Sequence, residues 1–213
     1  ASRVDVFLGG GISRFDGAAR PDSTDLLETV RSTHTFVTSA AQLAAVDLAS
    51  TTRLAGLFAD VHMPLAAERT PTLPDMTRAA LAVLAKDPDG FLLMVEGSQP
   101  DFLGHDNAPI EDVAREVLDF DAAIKVVLDF ADANPGTLVV VVADHETGGL
   151  AIELTPDSLR AEGAPPEPFA DYATTGHTGQ MVPLFAAGPG ADLFGGIKYN
   201  FRVGQILLDL VKR

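Results

Sequence analysis

The five residues 138–142 read Leu-Val-Val-Val-Val and run directly into Ala143-Asp144-His145. A β-branched run with no polar side chain on either alternating face is too apolar for a sheet wetted on one side, so it predicts a strand at the centre of a parallel sheet. Such a strand needs cover on both faces, which commits the chain to an α/β architecture. It also releases two ligand-type side chains, Asp144 and His145, at a strand's carboxyl end, where open α/β sheets gather their functional groups.

The rest of the chain alternates accordingly. Residues 4–8 predict a short strand stopping at Gly9-Gly10-Gly11, 25–31 a helix, 34–37 a strand, 40–48 a helix and 53–58 a strand. Pro64, Pro71 and Pro74 predict an extended connection over 63–74, after which Asp75 predicts the cap of a helix reaching Lys86. An apolar strand over 91–95 then delivers Glu96. Pro109 opens the longest helix, with Ile110, Val113, Val117, Phe120, Ile124 and Val127 on its apolar face and Glu111, Glu116, Asp119 and Asp121 on its solvated one. The Pro- and Glu-rich stretch 155–174 reads as a surface insertion, and a strand over 182–187 and a helix over 201–211 complete the pattern. The expected fold is α/β, with a mostly parallel central sheet flanked by helices.

Fifteen Lys and Arg stand against thirty Asp and Glu, a net charge of -15 that repels nucleic acid and anionic membranes. No apolar run reaches the roughly 18 residues of a membrane span. An anionic substrate inside that negative envelope requires local positive charge, which bound divalent cations supply. With no cysteine, any metal site must be built from imidazole and carboxylate, and disulfides and thiolate nucleophiles are excluded. The opening Ala-Ser-Arg-Val-Asp-Val has neither an initiator Met nor a leader, which predicts a processed or cleaved product.

Three segments carry ligand chemistry. Asp101 and His105 are four residues apart, a spacing that one helical turn or a tight loop converges on a cation. Asp144 and His145 are adjacent, so they either serve one metal from two sides or reach different metals. His177, between Gly176 and Thr178-Gly179, has room to reach inward and complete a three-ligand site. Imidazole with carboxylate suits zinc at about 2.0–2.2 Å, although manganese, cobalt or iron also fit such a set. Two ions about 3.5–4 Å apart would clamp the attacking and leaving oxygens of an in-line displacement. His34 and His62, each isolated, read as structural, Asp106-Asn107 as a turn, and Gly9-Gly10-Gly11-Ile12-Ser13-Arg14 lacks both the dinucleotide-binding glycine pattern and the P-loop Lys.

Taken jointly, these segments resemble the alkaline phosphatase family. The run Leu93-Met94-Val95-Glu96-Gly97-Ser98-Gln99-Pro100-Asp101-Phe102-Leu103-Gly104-His105-Asp106-Asn107 is similar to the family's first ligand loop, Ala143-Asp144-His145-Glu146-Thr147-Gly148-Gly149-Leu150 to its second, and Thr175-Gly176-His177-Thr178-Gly179 to its third. They occur in the family's order, and Val4-Asp5-Val6-Phe7-Leu8-Gly9-Gly10-Gly11 resembles a strand and turn upstream of them, so the likeness spans nearly the whole chain.

The resemblance implies two zinc ions and one magnesium. Asp101, His105 and His177 would hold the zinc that activates the hydrolytic water, Asp144 and His145 the zinc that activates the nucleophile, and Glu96 the magnesium. It implies hydrolysis of phosphate monoesters through a phosphoserine intermediate, by an exported (periplasmic or secreted) homodimer. Residues 1–213 would form the C-terminal part of one alkaline phosphatase domain, incomplete at its N-terminal side. The nucleophilic Ser in an Asp-Ser-Ala setting, an Asp shared between zinc and magnesium and a phosphate-binding Arg are expected upstream of Ala1, because the only Asp-Ser pairs, Asp22-Ser23 and Asp157-Ser158, read as caps or turns. The isolated chain is therefore expected to be inactive, with an unpaired sheet edge, and to be held to an N-terminal fragment of the same enzyme. Phe102 stands where the family often carries Lys, His or Trp, which predicts weak binding of product phosphate. The rival readings are a two-metal phosphodiesterase or mutase, which the Glu96 loop disfavours, and a non-catalytic metal-binding module.

Overall fold

Leu54–Leu57 form the strand around which the first half of the chain is built, all four residues being buried and Leu54 fully so. In a computed structural model, which describes residues 4–155 and 161–212, this strand (β3) lies between β1 (Val6–Gly9) and β2 (Thr35–Val37). Both neighbours run parallel to it, with Val6 and Thr35 each in register with Leu54. Helices α1 (Leu27–Thr33) and α2 (Ala40–Ala44) connect the strands, α3 (Leu73–Leu84) follows the last of them, and Leu43, Ala79 and Val83 meet Val37 and Leu54 in the core. His34 is buried there, with its ring nitrogens 2.9 Å from Thr33 Oγ1 and 3.1 Å from the Val4 carbonyl, which is the structural role its isolation predicted.

Two boundaries in this region move for local reasons. The cap of α3 is Thr72 and not Asp75: the Thr72 hydroxyl accepts from the Asp75 amide while the Asp75 carboxylate accepts from the Thr72 amide, a capping box that starts the helix earlier. Helix α2 stops at Ala44, well short of residue 48. Beyond it Asp47 accepts from the Ala49 amide and the Ser50 hydroxyl, hydrogen bonds that turn the chain out of the helix. Asp22-Ser23 lies in a turn, Asp22 accepting from the Thr24 amide and pairing with Arg20, as its capping pattern suggested.

The expected strand over 91–95 does not form. Phe91, Leu92 and Met94 are exposed, and no described strand pairs with this segment. Apolar character creates a demand for burial, but a strand exists only where a second backbone supplies the ladder.

By contact density the chain divides into two units, residues up to 96 with 119–127 and residues 97–118 with 128 onward. Helix α5 (Ile110–Ala133), with Pro109 at its N-cap as expected, contributes to both. Its buried stripe is not the one that apolar residues alone suggest. Val113, Glu116 and Ala123 are buried, whereas Val117 is 49% exposed. Positions 113, 116, 120 and 123 follow one another at three and four residues, so Glu116 falls inside the stripe and Val117 outside it. Asp119 is also removed from solvent, in an ion pair with Arg69 at 2.5 Å, so the reading of Glu116 and Asp119 as a solvated face does not hold.

In the second unit α4 (Gln99–His105) is followed by the α5 segments and six short strands. The apolar run does form a strand, β4 (Val139–Val142), but its described partner is a single antiparallel strand, β9 (Leu184–Ala187), and not a parallel neighbour on each side. One face of this pair packs under α6 (Asn200–Val211), where Leu138, Val140, Leu184 and Ala186 meet Phe194, Val203 and Ile206. Composition required burial for 138–142; it did not specify which backbone would supply it. Strands β5 (Glu146–Thr147) and β8 (His177–Thr178) pair antiparallel, as do β6 (Ala151–Leu154) and β7 (Pro168–Asp171). The stretch 155–174 follows β6 and includes its partner β7; residues 156–160, including Asp157-Ser158, lie outside the described part. No helix among the described residues is long and apolar enough to cross a membrane.

Candidate metal centre

Asp101 and His105 sit on the short helix α4, in its first and last turns, and the four-residue spacing stacks them on one face. His105 Nε2 lies 3.4 Å from Asp101 Oδ1. The third member arrives from 72 residues further on, His177 Nε2 lying 3.1 Å from His105 Nε2 and 3.6 Å from Asp101 Oδ1. Ligand atoms of Asp101, His105 and His177 all fall within 4.8 Å of one another. Asp106 caps α4 and Asn107 takes a left-handed φ of 50°, so the two residues close a turn as expected.

His177 reaches this position through the β5–β8 ladder, in which it faces Thr147 while Thr178 faces Glu146. Glu146 fastens the arrangement. Its carboxylate accepts from the Thr178 hydroxyl, from the Gly149 amide at 3.1 Å and from the Leu150 amide at 3.0 Å. The Thr178 hydrogen bond, supported by the two amides, holds the Glu146 carboxyl below its ordinary value of 4.5. Gly148 makes the close approach possible: at its φ of 88°, a Cβ would meet the Tyr172 ring at 2.8 Å and the Gly104 carbonyl at 2.9 Å.

The chemistry of the three ligands fits a divalent cation. His105 Nδ1 lies 2.6 Å from the Thr175 carbonyl, which only accepts, so the ring proton is on Nδ1 and the Nε2 lone pair faces the gap. A lone pair opposed to His177 Nε2 and to a carboxylate oxygen favours a positive charge between them. Tetrahedral zinc at about 2.0–2.1 Å sets its ligand atoms about 3.3–3.4 Å apart, close to the 3.1, 3.4 and 3.6 Å found here.

Asp144 and His145 make a second, more open cluster. Their side chains converge, with His145 Nε2 3.2 Å from Asp144 Oδ2, and the Asp144 side chain is 80% exposed. The His145 ring stacks on that of His177, with centroids 3.5 Å apart. Glu96 is exposed, belongs to the first unit and follows the irregular 91–95 segment. Five of the six sequence-predicted ligands thus lie together in the second unit.

Sequence reasoning missed the groups that hold these ligands. Thr147 Oγ1 donates to Asp101 Oδ1 at 2.5 Å and lies 3.2 Å from His145 Nδ1. Glu146, Thr178 and the Thr175 carbonyl complete the supporting set. The available signal was position: each lies within two residues of a ligand, in segments bracketed by glycines.

Fold and site together define an α/β protein whose imidazole and carboxylate groups gather in an arrangement that fits a divalent cation. Residues 1–164 match the sequence model of the family described as Alkaline phosphatase. "Alkaline phosphatase 3" of Bacillus subtilis (strain 168) is 32% identical over 270 residues, covering 95% of this chain and 57% of the relative. The structure of alkaline phosphatase from the Antarctic bacterium TAB5 is similar with a TM-score of 0.85 at 34% identity, covering 99% of this chain and 61% of that one. The cold-active alkaline phosphatase of the psychrophile Shewanella sp. gives a TM-score of 0.80 at 27% identity, covering 97% of this chain and 65% of that one. A variant of the TAB5 enzyme was solved with Mg bound in the M3 site.

The chain belongs to the alkaline phosphatase family. It spans about three fifths of the length of these relatives.

Proposed function

We propose that this chain supplies the metal-ligand part of a phosphate monoester hydrolase. The observation that carries the reading is the convergence of Asp101, His105 and His177 on one cation-sized gap. Those three residues would hold one zinc, Asp144 and His145 a second, and Glu96 a magnesium. The TAB5 variant solved with Mg in its M3 site supports magnesium as one of the ions. When bound, zinc supplies Lewis-acid charge for the phosphoryl oxygens and lowers the pKa of a ligated water or hydroxyl.

The chain's own residues do the rest by position. His105 keeps its proton on Nδ1, against the Thr175 carbonyl, and so offers Nε2. Asp101, oriented by the Thr147 hydroxyl, offers carboxylate charge beside it. Asp144, exposed to solvent, stands where a substrate's phosphate has access. The exposed imidazole and carboxylate groups supply a binding site for cations, which in turn reconciles an anionic substrate with a protein of net charge -15.

On this reading the serine nucleophile that forms the phosphoseryl intermediate lies in sequence preceding Ala1. The exported, homodimeric character of the whole enzyme rests on the family resemblance. Residues 1–213 would be part of one alkaline phosphatase domain with its insertion at 155–174, completed by an N-terminal partner segment.

Metal analysis and hydrolysis assays test the proposal together. The chain should bind zinc, and chain joined to the preceding segment should cleave p-nitrophenyl phosphate with EDTA-sensitive activity, leaving the bis-ester largely intact. Preferential diester cleavage would assign it to the phosphodiesterase branch; full metal occupancy without hydrolysis would make it a binding module.

A further inference from the structure

Thr147 lies between a ligand of one cluster and a ligand of the other. Its hydroxyl oxygen is 2.5 Å from Asp101 Oδ1 and 3.2 Å from His145 Nδ1, and in the β5–β8 ladder it is paired with His177. A Cβ placed on Gly104 would lie 3.1 Å from the Thr147 Cβ and Cγ2, so the helix bearing Asp101 and His105 closes directly on this side chain.

A hydroxyl carries a single proton. The ionised Asp101 carboxylate only accepts, so the Thr147 proton goes to Asp101, and the hydroxyl oxygen is left to accept from His145. Neutral His145 thereby carries its proton on Nδ1, and the Nε2 lone pair is directed to Asp144 Oδ2, 3.2 Å away. Two acceptors opposed at that distance are a cation site. Had the proton been on Nε2, the same pair would instead be satisfied as a hydrogen bond and closed to metal.

We propose that Thr147 is a positioning residue that couples the two metal clusters: the chain His145 Nδ1–H to Thr147 Oγ1–H to Asp101 Oδ1 sets the His145 tautomer for one cluster and the carboxylate orientation for the other. This rests on the metal-binding reading above. The hydroxyl itself touches neither substrate nor cation. Because one proton arrangement serves both clusters, a change at this position weakens both, although Thr147 lies beside only two of the five ligands.

The test compares Thr147→Val, which keeps the shape, with Thr147→Ser, which keeps the hydroxyl. Zinc titrations with a competing chelator follow affinity at both clusters, and melting in EDTA follows the fold. Loss of an outer hydrogen bond to a metal ligand costs about 10- to 100-fold in affinity. The expected result is a loss of that size at both clusters in Thr147→Val, with Thr147→Ser within about threefold of wild type. Nitrogen-15 NMR of the imidazoles should show the His145 proton on Nδ1 in the wild type.

Equal zinc affinity in Thr147→Val and wild type overturns the proposal, as does a Thr147→Ser variant as weak as Thr147→Val. A His145 proton found on Nε2 overturns it even if Thr147→Val fails to fold. Failure of the wild type to bind zinc at all is a different result, which removes the metal-binding reading and this inference with it.

Discussion

His105 Nε2 and His177 Nε2 face each other at 3.1 Å, with Asp101 Oδ1 within 3.6 Å of both. With the His105 Nε2 lone pair and a carboxylate oxygen facing one gap, His177 either donates a proton into it or adds a third lone pair, and the second arrangement suits a cation. Replacing His177 by Ala should therefore lower zinc affinity at this cluster by more than about 100-fold, the upper end of what an outer-shell change costs. Calorimetric titration of zinc into wild type and variant measures it, and equal affinities would remove His177 from the ligand set.

Glu146 gives a pH dependence. Its carboxyl is depressed below 4.5, chiefly by the Thr178 hydroxyl, so its contribution to stability is fully present above the unfolded-state value and lost as pH falls through the folded-state one. Glu146→Gln should lower the melting temperature at pH 7 and lose that difference at an acid pH below the depressed folded-state value, where the native carboxyl is itself protonated. Melting curves at the two pH values decide this; a gap that persists in acid would show that charge is not what Glu146 contributes.

Arg69 and Asp119 are paired at 2.5 Å with side chains 7% and 14% exposed. Removing one partner of a buried pair strands the other charge, at a typical cost of about 3–5 kcal/mol. Asp119→Ala should fall near the lower end of that range, because Arg69 Nε still donates to the Pro64 carbonyl. Denaturant unfolding measures the loss, and a change under about 1 kcal/mol would contradict it.

Phe102 follows the candidate ligand Asp101 in α4 and has no group to donate to phosphate. In the chain joined to its preceding segment, Phe102→Lys should tighten inhibition by inorganic phosphate on the order of 10-fold, the value of one charged hydrogen bond. Unchanged inhibition would remove Phe102 as a determinant of product release.

Residues close in sequence were legible where local geometry suffices. Asp101 and His105 needed only a helical turn, and the helix after the Pro-rich segment was legible too, although its cap is Thr72 and not Asp75. Glu116 was misread because a helix stripe is set by angular position, and side-chain polarity alone placed it on the wrong face. The 91–95 strand failed for another reason: propensity is local and pairing is not.

What the sequence determined by itself is a set of candidate ligands and the chemistry open to them. The absence of cysteine left imidazole and carboxylate, and the order of three short motifs identified the family. What the tertiary structure alone decided is convergence. His177 joins His105 across 72 residues through a two-residue ladder, β4 found an antiparallel partner in β9, and Thr147 came to lie between Asp101 and His145. Those contacts depend on long-range backbone pairing, whose register no local spacing encodes, and on hydrogen-bond direction, which exists only once donor and acceptor meet.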